Sequence, residues 1–204
     1  MATKTALTWE QFLAAGKEWQ RWECVDGEVK FMSPHMGGNH CTAVMSICLA
    51  VNEYSSRRPE WMSFPTDVTF TMASGNWRCP DWALVRRQRF GEGGIPEGPV
   101  PFPPDVAFEV ISPNDTWLDI QNKRRDYKKN GVTQVWVDPE ERTVEVISPR
   151  HRTRTFTEGE AVVIEELTGF ADDPVSASRQ PRVTLRLRAV RAPKDDKTND
   201  WQAK

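Results

Sequence analysis

Two short apolar runs, residues 82–85 and 106–111, stand out along the chain. Both are rich in β-branched and aromatic residues and are bounded by Pro or Gly, which predicts strands. Their near-continuous apolar character predicts strands covered on both faces, as in the middle of an α/β sheet. Around them the pattern alternates between strand and helix. Thr8-Trp9-Glu10-Gln11 fits a capping box and predicts a helix over 9–16. Residues 21–32 read as two strands around an Asp26-Gly27 hairpin turn. A long helix over about 40–57 carries Val44, Ile47, Cys48 and Val51 at i, i+3, i+4 and i+7, a buried stripe. Residues 61–71 suggest two short strands broken at Pro65-Thr66-Asp67, and Ser74-Gly75-Asn76 turns the chain toward Asp81. A basic helix follows the second apolar run, with Asn114 or Asp115 as its N-cap and Gly131 as its stop. Strands over 134–138, 144–148 and 153–157 then form a β-meander, and 162–167 reads as one more strand. Val183, Leu185 and Leu187 alternate as an edge strand would. The whole reads as one domain over 1–190 with a disordered tail over 191–204.

One acid goes with each apolar run: Asp81 stands just before the first, and Glu109 lies within the second. Side chains alternate along a strand, so Asp81 shares a face with Ala83 and Val85, and Glu109 with Ala107 and Ile111. A carboxylate among such neighbours is costly unless it is paired or binds metal. Taken alone, Asp81 after Pro80 is most simply a turn residue at a strand edge; Glu109, in mid-strand, is harder to dismiss. On the basic helix Asp119, Lys123 and Tyr127 fall at i, i+4 and i+8, on the stripe with Ile120 that should face the sheet. The ordinary reading of Asp119–Lys123 is a solvated i, i+4 pair of roughly 0.2–0.5 kcal/mol. Placed just after Glu109, however, Lys123 makes a third point beside two acids, a set that suits a hard divalent cation and a phosphate. Arg124, Arg125, Lys128 and Lys129 are left to face solvent or a polyanion.

Composition narrows little. The chain has 204 residues and a net charge of −2, so bulk charge does not announce a nucleic-acid binder. Local charge says more: basic clusters are usually solvated surface, but Arg86-Arg87-Gln88-Arg89, the run from Lys123 to Lys129, and Arg150-His151-Arg152 with Arg154, on elements expected to flank one site, raise a polyanion partner. Residues 86–104 hold five Pro and four Gly, a loop that is either a lid or substrate contact beside the site or a tolerated surface insertion. Cys24, Cys41, Cys48 and Cys79 have apolar neighbours and no CxxC spacing, which fits reduced, packed cysteines in a cytoplasmic protein. No signal-peptide core is evident at the start, and the longest apolar stretch is too short to span a membrane.

The order Pro80-Asp81, then Glu109 on the next strand, then Lys123 on the next helix resembles the P-D-(D/E)-x-K nuclease superfamily. The finer pattern is similar to its Uma-type restriction endonuclease family. Matching stretches include residues 22–29, Met32-Ser33-Pro34, His40, residues 104–113, Asp119, Tyr127, Gly131-Val132 and residues 135–139, over roughly the first three quarters of the chain. One departure from the wider superfamily is Ile111, which stands two after Glu109 where a lysine is usual; the resemblance moves that role to Lys123. It implies a restriction-endonuclease-like mixed central sheet flanked by helices, and a Mg²⁺- or Mn²⁺-dependent endonuclease acting on DNA. Asp81, Glu109 and the carbonyl of Val110 would hold the metal. Lys123 would orient water or offset charge, and Tyr127 would touch a phosphate or hold Lys123. Glu23 is a secondary acid near the site, with a plain strand-edge carboxylate as the equal alternative. His40, at a helix N-terminus, would sit by a phosphate, although a lone His is more often a satisfied polar residue. Reading half-sites would need a homodimer. The other reading is a catalytically silent module of the same fold that binds nucleic acid or a protein partner.

Overall fold

In the computed structural model, which describes residues 22–31 and 37–167, the chain forms two sheets and two α-helices. The small sheet begins with β1 (Trp22–Val25) and β2 (Glu28–Phe31). Asp26 and Gly27 between them both have positive φ, 53° and 78°, as a two-residue hairpin turn of the primed kind requires. β4 (Phe70–Thr71) and β5 (Trp77–Arg78) complete this sheet in the order β2-β1-β5-β4. The predicted turn at Ser74-Gly75-Asn76 therefore joins β4 to β5, and does not lead directly to Asp81. A two-residue strand leaves no alternation for a sequence reading to find.

The large sheet is ordered β10-β9-β8-β7-β6-β3. It comprises β3 (Trp61–Pro65), β6 (Trp82–Arg86), β7 (Val106–Val110), β8 (Thr133–Asp138), β9 (Thr143–Ile147) and β10 (Arg154–Thr157). The pairs are antiparallel except β7–β8, which is parallel and is connected through α2 (Trp117–Lys129). A parallel pair needs such a crossover. The strands 8, 9 and 10 are the predicted meander, and the mixed α/β architecture is the one expected.

Period-two alternation splits the central strands between two cores. Trp82, Leu84, Val106, Phe108 and Val110 pack with Ile47 and Val51 of α1 (Gly38–Ser56). Ala83, Val85 and Ala107 pack on the opposite face with Tyr127 of α2, Val132 and Trp136. Thr116, not Asn114 or Asp115, caps α2: its Oγ1 accepts from the Asp119 N–H, while Asp115 accepts from Ser112. The helix closes where expected. Gly131 (φ 67°) donates to the Lys128 carbonyl, and Val132 donates to that of Tyr127, a Schellman pair.

Three expectations change. Residues 162–167 add no strand; Val162, Ile164 and Leu167 fill the core from an extended segment and a 3-10 turn over Glu165–Leu167. The loop over 86–104 leaves the C-terminal end of β6 and returns to the start of β7, so its two stems lie at the opposite end of these strands from Asp81 and Glu109, while Val100 between them bonds to Thr69 and Thr71 of the small-sheet region. The stems are anchored by Arg89, which pairs with Asp105 at 3.0 Å and stacks on Phe102. Cys24 and Cys79 are buried, but Cys41 is exposed. The helix expected over 9–16, the strand around Leu185 and the tail lie outside the described residues. Among the described residues, no helix is long and apolar enough to cross a membrane.

Candidate active site

The site forms where the antiparallel register of β6 and β7 brings two acids face to face. Trp82 pairs with Phe108 and Ala83 with Ala107, so one step further Asp81 stands opposite Glu109. Both belong to the face that α2 covers, and both are 4 % exposed. Asp81 Oδ2 accepts the Val110 N–H at 2.9 Å and lies 3.3 Å from Nε2 of His40, in the first turn of α1. Glu109 is held from α2: Tyr127 donates its hydroxyl to Oε1 at 2.6 Å, and Lys123 donates to Oε2 at 3.1 Å.

Glu23 enters from the small sheet. Its Oε1 is 3.4 Å from the Lys123 ammonium, so this lysine lies between two glutamates. Glu23 is fixed by Arg78 on the neighbouring strand, at 2.7 Å, and by the Cys79 N–H. Arg78 also grips Asp126 of α2 through Nε at 2.8 Å and Nη2 at 2.5 Å, and Asn76 donates to the same Asp126 oxygen. One buried chain of charges thus ties the small sheet, α2 and the two acids together. Arg78, Asp126 and Asn76 were not singled out by the sequence. Arg78 sits in a two-residue strand, and Asp126 is hidden in a basic run; a buried acid one residue before Tyr127 was the available signal.

The electrostatics follow from this geometry. Burial pushes Glu109 upward and is reinforced by the Asp81 and Glu23 charges; Lys123 offsets it only in part, leaving the group at about 7. Burial also pushes Asp81 upward but is outweighed by the His40 hydrogen bond, the Lys123 charge and the Val110 N–H, so its pKa falls. Glu23 falls likewise, burial being overcome by Lys123 and Arg78. Lys123 is raised despite burial, because three carboxylates surround it, and it stays protonated. Burial and the Glu109 charge raise Tyr127, which remains a donor.

Asp81, Glu109, Lys123, Glu23, Tyr127 and His40 all converge. Some differ from their expected roles. Tyr127 is fully buried, with its hydroxyl on Glu109 rather than on Lys123. His40 is buried against Asp81, and among the described residues its Nδ1 has no hydrogen-bond partner. Arg124 is only partly exposed: it pairs with Glu145 at 2.5 Å and lies over the Trp136 ring. Asp119 pairs with Lys30 at 3.1 Å. Lys128 is exposed on the outer side of α2. Of the three basic clusters only this helix flanks the acids. Arg86, Arg150 and His151 line a separate cavity with Trp61, Asp105 and Thr133, at the far end of the strands.

The residues present fit a divalent cation. Glu23, Asp81, Glu109 and Asp126 carry four formal negative charges against two on Lys123 and Arg78, an excess that a doubly charged ion would neutralise. Among the described residues no three His, Cys, Asp or Glu side chains close into a ligand shell. Asp81 and Glu109 are the two acids that could face such an ion, a number compatible with a hard cation that keeps several of its waters.

A mixed sheet with paired acids and a helix-borne lysine is the architecture of a restriction-endonuclease-like fold. The chain belongs to the Uma2 family, described as "Putative restriction endonuclease", which matches residues 9–176. The fold is similar to a crystal structure titled as a putative nuclease belonging to DUF820 from Anabaena variabilis ATCC 29413. The TM-score is 0.67 at 19 % identity, over 86 % of this chain and 94 % of that one. No curated protein matches this chain.

Proposed function

We propose that the protein is a divalent-metal-dependent endonuclease that hydrolyses phosphodiester bonds in DNA. The observation that carries this reading is the convergence of Asp81, Glu109 and Lys123, remote in sequence, into one buried cluster with Lys123 3.1 Å from Glu109. Mg²⁺ or Mn²⁺, when bound, supplies charge neutralisation at the phosphate and a more acidic water. Asp81 and Glu109 would hold the ion, with the Val110 carbonyl as a third oxygen from the protein. Lys123, permanently charged, orients the attacking water or offsets the negative charge that develops on phosphorus oxygens. Glu23 keeps the Lys123 ammonium from swinging onto Glu109 alone. Tyr127 fixes the Glu109 carboxylate, and His40 fixes that of Asp81.

Asp81→Ala and Glu109→Ala should each abolish cutting of plasmid DNA in Mg²⁺ while leaving the circular dichroism spectrum unchanged. Lys123→Ala should reduce cutting by at least about a hundredfold. Full activity in excess EDTA would remove the metal from the proposal. Calorimetry with Mn²⁺ separates the silent module from the nuclease: a nuclease shows heat that disappears in Glu109→Ala, a silent module none.

A further inference from the structure

The outer face of α2 carries two large apolar side chains that nothing in the proposed chemistry uses. Trp117 is 74 % and Leu118 64 % exposed, in the first turn of the helix. Exposure of a whole tryptophan to water is unfavourable, and large exposed apolar groups mark contact surfaces. Helical spacing sets two adjacent rows on this face, Trp117–Gln121–Lys128 and Leu118–Arg125–Lys129, on the side away from Tyr127. Among the described residues no carboxylate pairs with Arg125, Lys128 or Lys129; Arg125 bonds only to Asn122, at 2.9 Å, and keeps its charge. From Trp117 to Lys129 is about 18 Å at ~1.5 Å per residue. The aromatic end lies at the top of the helix, where the chain has just left β7 and Glu109.

An aromatic platform followed by unneutralised cations is the composition that tracks an unpaired nucleic-acid strand, bases stacking on the ring and phosphates meeting the ammonium groups. A paired duplex buries its base faces and gives Trp117 nothing to stack on. We propose that the outer face of α2 is a single-strand track, with Trp117 as the base-stacking residue and Leu118 as its apolar flank, so that unpaired strands bind there in preference to a duplex. This rests on the nuclease reading for its substrate class.

The test uses the full chain carrying Glu109→Gln, which should not cut, in Mg²⁺. The probes are a single-stranded oligonucleotide bearing one 2-aminopurine, and the same sequence as a blunt duplex. Stacking should quench the single strand's fluorescence on binding. Trp117→Ala should abolish the quench and weaken single-strand binding by about tenfold or more, Trp117→Phe should keep most of both, and duplex binding should change less than threefold. Lys128→Glu should weaken both probes and lower their salt dependence. Unchanged single-strand affinity and quench in Trp117→Ala would overturn the track. So would an equal loss on both probes, which marks a general fault. The two proposals fail separately: a wild-type chain that quenches the probe through Trp117 but cuts nothing sinks only the nuclease. One that cuts, with Trp117→Ala behaving as wild type on every probe, sinks only the track.

Discussion

Glu109 is the residue at which burial and neighbouring charge compete. With its pKa lifted from 4.5 to about 7, it binds more protons in the folded chain than in the unfolded one. That contribution is fully present below the unfolded pKa and is lost as pH rises through about 7. Asp81 and Glu23 are depressed, so their contributions fail only in acid, below their ordinary range. The two windows do not overlap. In metal-free buffer the protein should therefore lose stability between about pH 5 and pH 8, by an amount on the order of a few kcal/mol. Glu109→Gln should flatten that slope in a urea titration series. Mn²⁺ should restore more stability at pH 8 than at pH 6, because at the lower pH it must displace a proton. A slope that persists unchanged in Glu109→Gln would assign the linkage elsewhere.

At the scale of elements, the site depends on the junction of the small sheet with α2. Arg78 is 2 % exposed and holds two carboxylates, so removing it strands both in the interior. Breaking a buried pair of this kind costs about 3–5 kcal/mol. Arg78→Met should lower stability by that order, measured by urea midpoint, and should also free Glu23 from its place beside Lys123. Gly131→Ala is a milder test. Open space surrounds the position, so only the positive φ penalises a side chain, by about 1–2 kcal/mol. These elements were unequally visible in the sequence. Glu109 could be seen because it interrupts an apolar run, Asp81 because it borders one, and Lys123 because it shares a helical stripe with Ile120 and Tyr127. Arg78 gave no periodic signal in a strand of two residues, and Asp126 was masked by the lysines and arginines around it.

Across the whole molecule, charge is divided between two ends of the large sheet. Sequence proximity had grouped three basic clusters around one site, but antiparallel pairing carries Arg86 to the far end of β6, where Arg150 and His151 join it. Arg150→Glu should therefore leave DNA cutting within about twofold of wild type. Lys128→Glu and Lys129→Glu should each weaken DNA binding and lower its salt slope by about one. A large loss in Arg150→Glu with none in Lys128→Glu would reverse this polarity.

The Gly- and Pro-rich excursion between β6 and β7 has both stems at that remote end. Its tip over 91–95 is exposed, while Arg89 and Asp105 clasp its base. A foreign domain spliced at the tip would be joined through a clamp that already fixes the two stems, opposite the acids. The chain thereby offers a graft point at which a sequence-reading module could be fused without rebuilding the acid–lysine cluster.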